Sequence, residues 1–124
     1  MSSTEDNPLI ASLIERAEDE DDVDAQYELG WRHALGAECD LDDEIAVHWL
    51  RIAADNGHML AQNNLGARYV SGEGVETNLI EAYVLFFRAA AQGDRKAGKN
   101  CDSVAKQLSP EDLEAARSRA GKLL

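Results

Sequence analysis

The sequence predicts an all-α protein, a short solenoid of helix-turn-helix repeats, and three observations predict it. The phrase Ala25-Gln26-x-x-Leu29-Gly30-x-Arg32-His33 returns 36 residues later as Ala61-Gln62-x-x-Leu65-Gly66-x-Arg68-Tyr69. The register continues through Gly36/Gly72, Ala46/Ala82, Ala53/Ala89, Ala54/Ala90 and Gly57/Gly93, and a period of roughly 20–50 residues marks a stack of like supersecondary units. Each unit carries two apolar stripes at helical spacing, parted by a glycine-containing loop. The residues that recur most faithfully are small. Gly30/Gly66, Ala46/Ala82 and Ala53/Ala89 let antiparallel helices approach closely, while Trp49, Leu50, Leu85 and Phe86 fill the space between units. Such a stack buries its core between neighbours and presents an extended surface, a device for holding partners more often than for making or breaking bonds.

One period back from the first full unit, Asp6 aligns with Asp42 and Asn78, Ile10 with Ala46 and Ala82, and Leu13 with Trp49 and Leu85. Ile14 and Ala17 fall on Leu50/Phe86 and Ala53/Ala89, so residues 8–18 read as an N-terminal capping helix. Repeat 1 spans 25–60, with helices expected at about 23–34 and 43–55; repeat 2 spans 61–96, with helices at about 59–70 and 79–91. Asp42 and Asn78 are the N-caps of the second helices, and Glu81 is placed to complete a capping box with Asn78. In the loop Ser71-Gly72-Glu73-Gly74-Val75 the glycines supply positive φ, and Gly74 reads as a loop residue with room to move. Gly57 and Gly93 fall where a left-handed residue closes a helix. One period forward, Ala97, Cys101 and Asp102 occupy the Ala, Leu and Gly positions of a degraded helix at about 94–107. Ser109-Pro110-Glu111-Asp112 then supplies an N-cap and a first-turn proline, ahead of a last stripe of Leu113, Ala116, Ala120 and Leu123. Residues 97–124 read as a degenerate C-terminal capping repeat, and residues 1–124 as one domain.

At 124 residues the chain is long enough to bury a core, and its net charge of −12 opposes phosphate backbones and anionic lipid surfaces. Nucleic acid and membranes are therefore excluded as expected partners. The charge is uneven: residues 1–24 carry nine acids against Arg16, residues 25–87 ten acids against three arginines, and residues 88–124 eight bases against five acids. The opening Met1-Ser2-Ser3-Thr4-Glu5-Asp6-Asn7-Pro8 has neither a basic region nor an apolar run of signal-peptide length, and the expected location is cytoplasmic. Cys39 and Cys101 sit at unequal repeat positions, forming neither a disulfide ladder nor a metal knuckle, so reduced thiols are expected.

The unit A-x-x-x-L-G-x-x-Y-x-x-G-x-G-V-x-x-N-x-x-E-A-x-x-x-x-x-x-A-A-x-x-G, read from Ala61 to Gly93, resembles the Sel1-like repeat, a relative of the tetratricopeptide repeat with a longer inter-helix loop. The resemblance covers about residues 25–107, and Leu108-Ser109-Pro110-Glu111-Asp112-Leu113 looks like the tail common in bacterial members. The first unit departs from the pattern in two places. His33 replaces the usual tyrosine, and Ala37-Glu38-Cys39 stands where the pattern has its second glycine and valine, so a different loop shape is expected there. The resemblance implies a right-handed α/α superhelix that serves as adaptor or scaffold for protein complexes, often in signalling, cell-envelope or host-interaction roles. It supplies no shared catalytic residues.

If Leu29, Gly30 and His33 face their partner helix, the opposite stripe of the first helix is Asp24, Tyr27, Trp31 and Ala34. The same register gives Leu60, Asn63, Ala67 and Val70 in the second unit and Lys96, Lys99, Ser103 and Lys106 in the third. In tetratricopeptide-type stacks this stripe lines the concave face. Tyr27, Trp31, Asn63, Ala67, Lys99, Ser103 and Lys106 are therefore the expected protein-binding residues, in a groove with an aromatic, acidic end and a basic end. The competing reading packs Trp31 on the capping helix.

The acidic run Glu18–Asp24 lacks the glycine and terminal glutamate of a calcium loop and reads as a solvated turn. His33, His48 and His58 form no i, i+4 ligand pair, and Glu38 and Asp40 should blunt the Cys39 thiolate. No nucleophile-and-base grouping, phosphate loop or carboxylate pair is recognisable, so no catalytic residue, cofactor or metal is expected. The expected function is a non-enzymatic protein-protein interaction module, a monomer or weak homo-oligomer, docking a protein or peptide segment on its concave face. The alternative is a structural protein that self-assembles head-to-tail, acidic N-terminal cap on basic C-terminal cap.

Overall fold

The computed structural model describes residues 7–122; the aligned cap Asp6 and the stripe residue Leu123 lie outside the described residues. Among the described residues seven helices form: α1 (Pro8–Asp19), α2 (Val23–Leu35), α3 (Asp43–Asp55), α4 (Met59–Ser71), α5 (Leu79–Ala91), α6 (Arg95–Ala105) and α7 (Pro110–Gly121). The segment after Ser109 is a helix of its own, so the C-terminal end is closed by two helices packed on α5. The described residues contain no strand, and the architecture is an all-α superhelix of helix-turn-helix repeats.

Each helix starts where a side chain takes over an otherwise orphaned backbone amide. Asn7 accepts from the Leu9 and Ile10 amides, Asp22 from Ala25, Asp42 from Glu44 and Ile45, and Asn78 from Glu81. Asp94 and Ser109 do the same for Ala97 and Asp112. The expected capping box at Asn78 does not close. The Asn78 amide donates to the Tyr69 carbonyl, and the Glu81 carboxylate lies 2.5 Å from an Arg119 guanidinium nitrogen instead, tying α5 to α7.

Two apolar clusters hold the stack together. Ile10, Leu13 and Ala17 of α1 pack with Ala25, Leu29 and Trp49, while the larger cluster runs from Val47 and Leu50 through Leu65, Phe86 and Val104 to Ala116 and Ala120. Close approach of the helices requires the repeated glycines. A β-carbon on Gly30 would lie 2.8 Å from Leu50 Cγ, and one on Gly66 would lie 2.7 Å from Phe86 Cε1.

Buried amides reinforce the junctions between units. Gln26 Nε2 donates to the Ala17 carbonyl at 3.1 Å and its Oε1 accepts from Asn56 Nδ2 at 3.1 Å. The pattern repeats at Gln62, whose Nε2 donates to the Ala54 carbonyl at 3.1 Å and whose Oε1 accepts from Gln92 Nε2 at 2.8 Å. Both glutamines are 1 % exposed, where a lost partner would leave a buried polar atom unsatisfied. One period later the position is Gly98, and the ladder stops at the degenerate unit.

The inter-helix loops overturn two expectations. The α2–α3 loop keeps the backbone shape of the α4–α5 loop despite its substitutions: Gly36 and Glu38 have φ of 67° and 63°, against 77° and 75° at Gly72 and Gly74. His33 substitutes for tyrosine by placing Nδ1 3.0 Å from the Asp40 carbonyl, whereas the Tyr69 hydroxyl accepts from Arg51. Arg32 and Arg68 each reach a loop carbonyl, of Ala37 and Glu73, at 3.4 Å. Gly74 has no room to move, because a β-carbon there would sit 2.3 Å from the Asp43 carbonyl oxygen of the preceding unit.

Candidate binding groove

The first helix of each unit, α2, α4 and α6, turns one stripe toward a shared trough. Two depressions form it. One, of about 270 Å³, is lined by Tyr27, Leu60, Asn63, Asn64, Ala67, Lys96 and Asn100; the other, of about 180 Å³, is lined by Ala67, Val70, Phe86, Asn100, Ser103, Val104 and Gln107. Sharing Ala67 and Asn100, they make one continuous furrow across three helices. Each depression lies below the ~300–1,000 Å³ of typical small-molecule sites. The shape suits a chain laid along the furrow better than a compact ligand enclosed in it.

Of the residues expected on the concave face, Tyr27, Asn63, Ala67 and Ser103 line this furrow. Trp31, Lys99 and Lys106 do not line it. Trp31 lies one turn beyond Tyr27, half-exposed, with the Arg32 guanidinium 4.6 Å from its ring centroid. The tryptophan packed beneath the capping helix is Trp49, on α3, which corrects the reading that put Trp31 there. Lys99 is exposed on α6, and Lys106 is the C-cap residue of that helix.

Tyr27 is positioned by the junction between the first two units. Its ring stacks on His58 at 4.4 Å and an interplanar angle of 20°. His58 Nδ1 accepts from the Ala61 amide at 3.1 Å, capping α4, and its Nε2 lies 3.4 Å from Asp24 Oδ1. That acceptor role requires the tautomer with the proton on Nε2, facing the carboxylate. One aromatic wall of the furrow is thus held by a helix cap.

The floor is rich in amides. Asn100 Nδ2 donates to Asn63 Oδ1 at 3.1 Å, joining α6 to α4, and Asn64 and Gln107 flank the pair. Sequence reasoning missed Asn64, Asn100 and Gln107 because it followed a single stripe. The signal was present: Asn64 and Asn100 are the same residue one 36-residue period apart. Leu60, a large apolar side chain, is 49 % exposed at the lip of the furrow.

The remaining polar constellations are structural. Asp22 of the acidic run caps α2 and lies 2.7 Å from Arg16, whose hydrogen bond holds the carboxyl below the usual carboxylate range. Asp21 accepts from the buried Gln26. Burial pushes both thiols up; at Cys39 Arg32 opposes the shift and Asp40 adds to it, and Cys101 points at the Tyr83 carbonyl. Among the described residues there is no group of three or more His, Cys, Asp or Glu side chains suited to a metal ion. No helix among them is long and apolar enough to cross a membrane.

The Sel1 repeat model matches residues 23–58 and 60–94, more than half of the chain. This chain belongs to the Sel1 repeat family. Sel1 repeats build protein-interaction scaffolds. The chain is 37 % identical over 86 residues to the mouse protein named DAP3-binding cell death enhancer 1, covering 69 % of this chain and 16 % of that protein. The rat counterpart is 36 % identical over the same length and coverage; the chain therefore spans only about one sixth of these curated relatives. Among solved structures, a protective antigen of uropathogenic Escherichia coli with an SLR fold superposes with a TM-score of 0.81 at 28 % identity, covering 86 % of this chain and 23 % of that one. A Sel1 repeat protein from Oxalobacter formigenes superposes with a TM-score of 0.72 at 26 % identity, covering 92 % and 49 %.

Proposed function

We propose that this Sel1 repeat chain is a non-enzymatic adaptor that docks an extended segment of another protein along the furrow of α2, α4 and α6. The observation that carries the reading is the row of amides that runs along the furrow from the end holding Tyr27 and Lys96 to Gln107. Asn63, Asn64, Asn100 and Gln107 each offer donor and acceptor atoms, the pairing that a peptide backbone needs in order to leave water without loss. Tyr27 and Leu60 give an apolar anchor at one end, and Lys96 favours a segment with an acidic residue beside that anchor. Kinship to a protein whose name records binding to DAP3 supports a protein ligand for the fold, although the similarity covers 16 % of that relative.

The test is Ala67→Arg, at the point where the two depressions meet. Ala67 is exposed, so the substitution leaves the melting temperature unchanged while a long cationic side chain fills the furrow. Loss of a partner recovered by the unmodified chain supports the reading; full retention by the arginine variant overturns it. Head-to-tail assembly is the second reading, resting on the nine acids against Arg16 in residues 1–24 and the eight bases against five acids in residues 88–124. A solution mass that stays monomeric from low to high salt removes it.

A further inference from the structure

The loop edge of the first unit carries a surface that the fold does not account for. Leu35 and Leu41 are 73 % and 68 % exposed, and Ile45 and Leu9 are 39 % and 37 % exposed. They share one edge of the molecule. Leu35 ends α2, Leu41 immediately precedes the cap of α3, and Ile45 lies in the first turn of α3. Gly36 packs on Leu41, with a β-carbon at Gly36 falling 3.3 Å from Leu41 Cβ. Asn7 Nδ2 donates to the Glu38 carbonyl at 2.7 Å, which brings the first turn of α1, with Leu9, against the same loop.

One period later the corresponding residues are Ser71, Thr77 and Glu81 in place of Leu35, Leu41 and Ile45. The same loop shape forms there with polar side chains, so the helix-turn-helix unit does not require leucine or isoleucine at these places. In the second unit, moreover, Glu81 is engaged by Arg119 of α7. In the first unit the neighbouring loop meets α3 at Asp43, through Gly74 and Arg68, and Ile45 stays 39 % exposed beside that contact.

The charge around the patch is predominantly negative. Residues 33–50 contain five acids, Glu38, Asp40, Asp42, Asp43 and Glu44, and no lysine or arginine. Two arginines reach this edge and each already pairs with a carboxylate, Arg32 with Glu28 at 2.9 Å and Arg68 with Asp43 at 3.0 Å, so the charge left over is negative. An exposed apolar cluster rimmed by carboxylates repels anionic lipid and nucleic acid and complements a cationic, apolar protein segment. We propose that this edge is a second docking surface, separate from the furrow, which takes a cationic amphipathic helix of a partner protein. Leucine-type side chains of that helix would sit on Leu35, Leu41 and Ile45, and its flanking lysines or arginines would face Glu38 and Glu44.

The test uses Leu35→Ser with Leu41→Thr, substitutions the second unit already carries at Ser71 and Thr77. The probe is a fluorescein-labelled 18-residue amphipathic peptide of lysine and leucine, beside a scrambled peptide of the same composition that lacks an apolar face. The amphipathic peptide is expected to shift backbone amide resonances of residues 35–45 and of Leu9, and to bind at least about tenfold more weakly to the double variant. Binding to Ala67→Arg should be unchanged, which separates this surface from the furrow. Equal binding of the scrambled peptide, shifts confined to the furrow, undiminished binding to the double variant, or no binding at all would each overturn the proposal. A peptide-free mass that doubles with concentration in the parent and not in the double variant would assign the edge to a second copy of the chain, and would overturn it as well.

Discussion

The loops of the two full units have the same backbone shape and are held in it by different forces. In the α4–α5 loop, Gly74 at φ 75° is wedged against the Asp43 carbonyl of the preceding unit, and Arg68 pins the same Asp43 at 3.0 Å. In the α2–α3 loop, Glu38 adopts φ 63°, and its carbonyl is tied to α1 by the Asn7 side chain. A non-glycine residue in the left-handed region costs on the order of 1 kcal/mol, which one good hydrogen bond offsets. A steric wall cannot be offset that way. Glycine is therefore required in the second loop by its neighbour more than by its dihedral angle, and the first loop, next to a half-repeat instead of a full unit, is free of that wall.

Among substitutions the largest effect lies in the helices that carry the second loop. Gly66→Val inserts three carbons where even a β-carbon would lie 2.7 Å from buried Phe86, so stability should fall by about 3 kcal/mol or more. Gly74→Ala should follow, at roughly 2–3 kcal/mol, from the carbonyl clash added to the dihedral strain. Chemical denaturation of the two variants checks both values. A loss below about 0.5 kcal/mol at Gly74, the usual result at an unconstrained surface site, would mean that the loop relaxes away from Asp43.

Asn7→Ala removes the cap of α1 and the tie to Glu38 together, and a loss of about 1–2 kcal/mol is expected. Hydrogen exchange should show the α2–α3 loop opening along with α1; protection lost from α1 alone would separate the two. At Glu38 the sign reverses. Glu38→Gly relieves the left-handed strain and should be neutral or stabilising by up to about 1 kcal/mol, the opposite of Gly74→Ala. Equal destabilisation at both sites would erase the distinction between the loops.

The smallest expected effect concerns pH. Asp22 has its folded pKa lowered, first by the hydrogen bond from Arg16 and then by the Ala25 amide. Its contribution is thus present above the unfolded carboxyl value of about 3.9 and is lost as pH falls through the lower folded value. Asp22→Asn should flatten that acid limb of the stability curve and leave the neutral-to-basic limb unchanged. An unaltered acid limb would remove the Arg16 pair from the account.

What was legible in the sequence followed from local chemistry. Asp42, Asn78 and Ser109 announce helix starts, Gly57 and Gly93 announce ends, and the small-residue register locates the close contacts of Gly30 and Gly66. What was illegible depends on residues far apart in the chain. Gly74 meets Asp43, Glu81 chooses Arg119 over its own capping box, and Trp49 instead of Trp31 fills the space beneath α1. The candidate furrow was legible as a stripe on α2, α4 and α6 but not in width. A furrow between helices draws on the flank of the stripe, where Asn64 and Asn100 lie, as much as on its crest, where Lys99 was expected to serve.

The most direct test of the docking account is site-specific photocrosslinking from the floor of the furrow. A photoreactive phenylalanine analogue placed at Ala67 should capture the same segment of a bound partner as one placed at Asn100, while the analogue at exposed Asp55, at the end of α3, should capture none of it. Peptide mapping that finds the partner crosslinked from Asp55 and not from Ala67 or Asn100 would contradict the claim that this chain holds its partner in the furrow.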